Sequence, residues 1–257
     1  MKERIITSII LVGVLALVLI SGQTGFMVFV AIVGVIAGYE IYKIKKTEWK
    51  PSILLILWAY ILSGAFLPTD YFIAVLSIAL ILLLAISVFN EWFSVQDMAF
   101  VFMMGTILAL TLSSLVLVFS YDLFVLLYVV LATYSTDIFA YFGGTFFGKT
   151  KLIERVSPKK TVEGAIIGVI GSITVSLLFG MVYVVNRGIL PFEVILTISL
   201  LVPFVGQIGD LAFSLVKRFY NIKDYGNILP GHGGILDRID SIAFSFIVFT
   251  VVLSIIL

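Results

Sequence analysis

Residues 214–240 read SLVKRFYNIKDYGNILPGHGGILDRID and crowd charge and glycine between two long apolar runs. Lys217, Arg218, Lys223 and Arg238 stand among Asp224, Asp237 and Asp240, with Asp210 just upstream. A surface built only to attract phosphate would be cationic throughout. Carboxylates mixed with Lys and Arg suit divalent cations that neutralise phosphates beside basic side chains. Asp237 and Asp240 are spaced i, i+3, which puts both on one helical face. The plainer reading is a solvated loop in which Pro230, Gly231, Gly233 and Gly234 turn the chain and Asp237 caps the next helix. His232 is either a phosphate donor or a residue that fixes the loop by hydrogen bonds.

The elements that must position these groups are membrane helices. The chain is 61% hydrophobic and only 12% charged, with a mean hydropathy of +1.22, which lies far outside the range of a soluble domain. It contains no cysteine and one histidine, so disulfides, zinc–thiolate sites, thiol nucleophiles and most His-based metal clusters are excluded. A net charge of +1 says little about partners, and no nucleic-acid partner is expected.

A bilayer core needs about 20 apolar residues per helix, and about nine candidate spans can be drawn: 5–21, 24–42, 51–67, 71–90, 97–116, 121–142, 162–186, 192–216 and 238–257. The expected fold is therefore an all-α, polytopic integral membrane protein. Lys2, Glu3 and Arg4 ahead of an apolar run imitate a signal peptide, but no small-residue cleavage site follows, so the run is read as a retained first helix. With the N-terminus cytoplasmic, nine spans put fifteen of the 16 basic residues inside and Arg187 alone outside, as the positive-inside rule requires. Residues 1–120 would supply about five spans and 121–257 the chemistry, in one integrated membrane domain. The protein would lie in the cell (inner) membrane with its active site facing the cytoplasm.

Acids within membrane spans are costly, so Asp137, Glu163 and Asp210 are functional candidates. Each also has a plainer reading as a cap, a dipole partner or half of an ion pair. Asp137 is expected about five residues before the end of its helix, roughly 7 to 8 Å at 1.5 Å per residue. Gly34-x-x-x-Gly38 and Gly164-x-x-x-Gly168 are packing seams, and Trp49, Trp58 and Trp92 are expected as interfacial anchors. Pro203 falls inside a span and should kink it. Gly143-Gly-Thr-Phe-Phe-Gly-Lys-Thr150 fits the P-loop pattern. A P-loop, however, needs a strand feeding the loop and a helix receiving phosphate. Here the motif follows a membrane helix with no strand pattern around it, so that reading is rejected, while Lys149 keeps a phosphate-contact role.

The order Ser214, Lys217-Arg218, Lys223-Asp224, Gly226, Leu229-Pro230, His232-Gly233-Gly234, Asp237-Arg238-Ile239-Asp240 resembles the signature of the phosphatidate cytidylyltransferases, the CDP-diacylglycerol synthases. The resemblance continues through Asp137, Tyr141-Phe142-Gly143, Phe147-Gly148-Lys149 and Ser157-Pro158-Lys159-Lys160-Thr161-Glu163-Gly164. It covers roughly the second half of the chain. It departs at Gly144-Thr145, where an Arg or Lys is expected. The resemblance implies that CTP and phosphatidate give CDP-diacylglycerol and pyrophosphate. It assigns Asp210, Asp237 and Asp240 to metal, with Asp137 as a further metal or nucleotide contact. Lys217 and Lys223 are catalytic candidates on the phosphates, with Arg218, Arg238, Asp224, His232, Lys149, Lys159 and Lys160 as substrate contacts. The cofactor expected is Mg²⁺, a second metal or a monovalent cation being compatible, and the partners are CTP, phosphatidate and the bilayer, with a homodimer left open. Two rivals use similar parts. A CTP-dependent lipid kinase would transfer the γ-phosphoryl group and need a base for the lipid hydroxyl. An ion-coupled transporter would use Asp137 and Asp210 as a pathway, although the acids cluster near one face and the halves show no internal repeat.

Overall fold

A computed structural model describes residues 13–14, 16–231 and 233–257. The helices are α1 (Gly22–Ile44), α2 (Pro51–Phe66), α3 (Phe72–Phe89), α4 (Val95–Tyr121), α5 (Leu123–Phe147), α6 (Val162–Gly180), α7 (Phe192–Phe219) and α8 (Leu236–Ile256). A 3-10 turn, Thr69–Tyr71, leads into α3, and a π-helical turn, Met181–Val185, extends α6. Between α5 and α6 lies an antiparallel hairpin of β1 (Lys151–Ile153) and β2 (Ser157–Thr161), with Lys151 opposite Thr161. This hairpin is absent from the periodicity of the sequence, because three and five residues are too few to show an alternation.

Helix starts follow local chemistry. Pro51 occupies the first turn of α2, where its missing N–H is no loss. Ser94 and Asp97 form a reciprocal box at α4: Ser94 N–H donates to Asp97 Oδ2 at 3.0 Å and Asp97 N–H to Ser94 Oγ at 3.1 Å. Asp122 caps α5 through the Phe124 N–H at 2.7 Å, and Thr161 caps α6 through the Gly164 N–H at 3.2 Å.

Seven described helical segments are long and apolar enough to cross a membrane, and Pro51–Phe66 is a shorter apolar helix. Large apolar side chains such as Ile73, Ile78, Ile81 and Phe89 point outward, the reverse of a soluble surface. The protein is an all-α, multi-pass membrane protein. About half of the expected first span, residues 5–12 and 15, lies outside the described residues.

The chain divides into two units. The first holds residues 1–116 and 224–238. Its core includes Ile41, Ile53, Leu57, Ile61, Val101, Met104 and Leu108. A Cβ at Gly34 would meet Leu112, Ile61 and Leu62, and one at Gly38 would meet Trp58 and Ile61, so this pair is the packing seam its spacing suggests. Trp49 departs from the anchor expectation: at 3% exposure it packs against Tyr42, Phe93 and Phe100. Its ring fills protein interior because Lys45–Lys50 fold back over the ends of α1 and α4, where Lys45 Nζ also pairs with the buried Asp97 at 2.8 Å.

The second unit holds residues 117–223 and 239–257. A Cβ at Gly164 would strike the Ala140 carbonyl and the Gly144 N, and one at Gly168 would strike Ala140 and the Thr136 carbonyl. Backbone therefore lies on backbone along α5 and α6, and van der Waals contact can do what the hydrophobic effect cannot do in lipid. Polar groups add to this: Ser172 of α6 donates to the Ala132 carbonyl of α5 at 2.7 Å, and Tyr128 of α5 donates to the Ile195 carbonyl of α7 at 2.9 Å. Pro203 sits within an unbroken α7. Helix α5 continues through Gly143 and Gly144 to Phe147, so Asp137 is ten residues from its end, about 15 Å at 1.5 Å per residue. It lies deeper along its helix than expected, since the two glycines are held helical by contact with α6 and do not stop it.

Candidate functional site

In the second unit a cavity of about 460 Å³ opens between α5, the hairpin, α6 and α7. Asp137, Tyr141 and Thr145 reach it from α5, Lys159 and Lys160 from β2, and Gln207 and Asp210 from α7. The hairpin exists to bring the two lysines here: Lys151 Nζ donates to the Pro158 carbonyl at 2.7 Å, and Val162 N–H to the Thr150 carbonyl at 2.9 Å. Lys160 Nζ makes an ion pair with Asp210 Oδ2, both side chains being about three-quarters shielded. Ser214 Oγ approaches Asp210 Oδ1 at 3.4 Å from one turn along α7.

Asp240 lies within electrostatic reach of Asp210, Lys217 and Asp137. The approach is made by glycine. A Cβ at Gly209 would stand 2.7 Å from the Asp240 carbonyl oxygen and 2.9 Å from the Phe244 ring, so α7 and α8 meet at backbone contact beside Asp210. Three of the four acids expected as metal ligands therefore share one neighbourhood with Lys160 and Lys217. Among the described residues no three acids converge closely enough to form a metal cage by themselves.

Arg218 is turned to structure: its Nε donates to the Val156 carbonyl at 3.3 Å, fastening the hairpin turn. Lys149, Lys159 and Lys223 are exposed. Glu163 has a definite job. Its carboxylate accepts Lys149 N–H at 3.0 Å and Thr150 N–H at 3.1 Å, the backbone donors that would cradle phosphate in a P-loop. The Gly-Lys-Thr turn is thus closed by a protein carboxylate.

An apolar groove of about 320 Å³ adjoins this cavity, sharing Leu152, Ala165 and Gln207 with it and continuing past Ile166, Phe204 and Ile208.

In the first unit the loop ahead of α8 is organised by Asp237, which is 8% exposed. Its Oδ2 accepts Tyr225 N–H at 2.9 Å and Gly234 N–H at 3.0 Å. Gly231 and Gly233 have φ of 75° and 85°, the left-handed region that glycine enters at little cost. A bridge joins Leu229 N–H to the Gly233 carbonyl at 3.0 Å. Asp237 thus fastens the loop that leads into α8, its donors lying ahead of the helix. Asp224 and Arg238 are exposed, and His232 lies outside the described residues. One acid was missed by motif spacing. Glu40, 1% exposed inside α1, accepts Ile235 N–H and Leu236 N–H, each at 2.9 Å. The signal available was a lone carboxylate in a long apolar run.

Residues 2–256 match the model of the cytidylyltransferase family. A phosphatidate cytidylyltransferase of Bacillus subtilis (strain 168) is 34% identical over 257 residues, covering 95% of this chain and 94% of that protein. One from Staphylococcus haemolyticus is 33% identical over 251 residues, with 95% of each chain covered. One from Rickettsia bellii is 33% identical over 199 residues, covering 72% of this chain and 86% of its own. The match thus extends through the N-terminal helices, where only hydropathy had pointed, and the chain belongs to the cytidylyltransferase family of membrane nucleotidyltransferases.

Proposed function

We propose that the protein joins CTP to phosphatidate, giving CDP-diacylglycerol and pyrophosphate. The observation that carries this reading is the Lys160–Asp210 pair on the wall of a cavity that shares lining residues with an apolar groove, an arrangement suited to a phosphorylated lipid. The names of the relatives supply the reaction class. A phosphate monoester is already an anionic nucleophile, so attack on the α-phosphorus needs no general base. Positioning and charge neutralisation carry the rate. Lys159 and Lys160 hold the lipid phosphate or the triphosphate, Lys217 and Lys223 the phosphates in transfer, and the apolar groove an acyl chain.

The acids fit Mg²⁺, a hard cation that takes oxygen donors and is commonly held by one or two carboxylates plus substrate phosphates. A three-acid cage is not needed. Asp210 and Asp240 would hold it with Asp137 nearby, and Asp237 keeps the ligand role implied by its place in the signature. Bound there, the ion would neutralise charge on the phosphates. Nine spans, a cytoplasmic N-terminus and a site open to cytoplasmic CTP complete the reading.

The test is purified protein in sealed vesicles with Mg²⁺, phosphatidate and CTP labelled in its α- or γ-phosphate. Label from the α-position should enter the lipid and pyrophosphate should be released, with CTP supplied only to the cytoplasmic side. Transfer of γ-label to diacylglycerol, offered in place of phosphatidate, would establish a lipid kinase. No labelling of either lipid by folded protein would favour the transporter. In the same assay Thr150→Ala should keep most of the wild-type rate, since the Thr150 N–H already serves Glu163. A loss as deep as that from Asp210→Asn would restore the P-loop reading.

A further inference from the structure

We propose that Glu40, on α1, is a positioning residue for nucleotidyl transfer: it clamps the start of α8 and so fixes the loop in which Asp237 is set. The inference rests on the reaction and on the role of Asp237 proposed above. A carboxylate inside an apolar helix is costly unless hydrogen-bonded, and Glu40 uses both oxygens. Oε1 takes the Ile235 N–H and Oε2 the Leu236 N–H, across almost two hundred residues of sequence. Leu236 opens α8 and Ile235 immediately precedes it, at the helix end where N–H groups lack intrahelical partners and the helix dipole favours negative charge.

Two glycines of the loop are explained by the same carboxylate. A Cβ on Gly226 or on Gly234 would run into Glu40, although neither glycine has a left-handed φ. Both positions therefore stay open for Glu40 rather than for a turn. Four backbone donors are shared between two acids: Asp237 Oδ2 takes Tyr225 and Gly234, and Glu40 takes Ile235 and Leu236. With Glu40 neutralised, the helix start loses its anion and the loop that sets Asp237 loses one of its two anchors.

The test is Glu40→Gln, which keeps the shape but sets an NH₂ group against a backbone donor. Turnover should fall at least tenfold with KM for phosphatidate unchanged. Amide hydrogen exchange at Ile235 and Leu236 should accelerate while the other helices keep their protection. Adding Glu40→Gln to Asp237→Asn should cost less than twofold more, because residues acting through one element are non-additive. Wild-type turnover by folded Glu40→Gln, a lower melting temperature with turnover per folded molecule intact, or full multiplication of the two losses would each overturn the proposal. Should Glu40→Gln fail to fold, Gly234→Ala presses on the same carboxylate from the loop side and should give the same loss of turnover. Wild-type turnover from it would overturn the clamp. The exchange measurement does not depend on the reaction, so absent CMP transfer by the wild type would count against the function while unchanged exchange would count against Glu40.

Discussion

Asp210→Asn should lower turnover by about a hundredfold or more, and Asp240→Asn should do the same, through loss of metal-borne charge stabilisation. The structure lets this be separated from a fold defect. Asp210 pairs with Lys160, whose Nζ is buried, and removing one partner of a shielded pair leaves the other charge uncompensated at a cost of about 3–5 kcal/mol. Asp210→Asn alone should therefore lower the melting temperature as well as the rate, whereas removing both charges should recover the stability. Lys160→Met combined with Asp210→Asn removes the pair as a unit. If Asp210 served only to neutralise Lys160, the double variant would recover activity over Asp210→Asn. We expect it to stay inactive, with initial rates of CMP transfer as the measurement.

Replacing Gly209 should be nearly as damaging although the residue carries no chemistry. Its Cβ would meet the Asp240 carbonyl oxygen and the Phe244 ring, and neither can rotate away without moving α8. Overpacking of this kind costs about 1–3 kcal/mol. The larger loss should be in rate, since a displacement of about 1 Å among reacting groups can cost about a hundredfold. Gly209→Val should reach that figure, and Gly209→Ala should lose at least about tenfold. Gly206, one turn earlier, is the internal control. A Cβ there comes no nearer than 3.3 Å to Ser245 Oγ, a hydroxyl that can turn aside, so Gly206→Ala should stay within a few-fold of wild type. Equal rates for Gly206→Ala and Gly209→Ala would show that the close seam of α7 and α8 does not set the geometry of Asp210 and Asp240.

Hydropathy alone determined the class of the protein and most of its helices, because transfer of apolar side chains into lipid is a local property of about 20 residues. The expected spans 51–67 and 71–90 become Pro51–Phe66 and Phe72–Phe89. The order of Lys217, Arg218, Lys223, Asp237 and Asp240 likewise carried the family resemblance, since those residues are close in the chain. What tertiary structure decided is which groups from different elements meet. Asp210 lies against Lys160, fifty residues away, because a hairpin too short to leave a periodic trace carries the lysine to the cavity. Asp137 sits deeper than expected because α6 keeps Gly143 and Gly144 helical. Glu163 closes a turn that pattern alone would give to phosphate. Glu40, a lone acid in an apolar run, is satisfied by the N–H groups of Ile235 and Leu236, nearly two hundred residues away. Buried polar groups find partners wherever the fold brings donors within about 3 Å, and that distance is set by glycine seams and helix ends distant in sequence, which no window of residues contains.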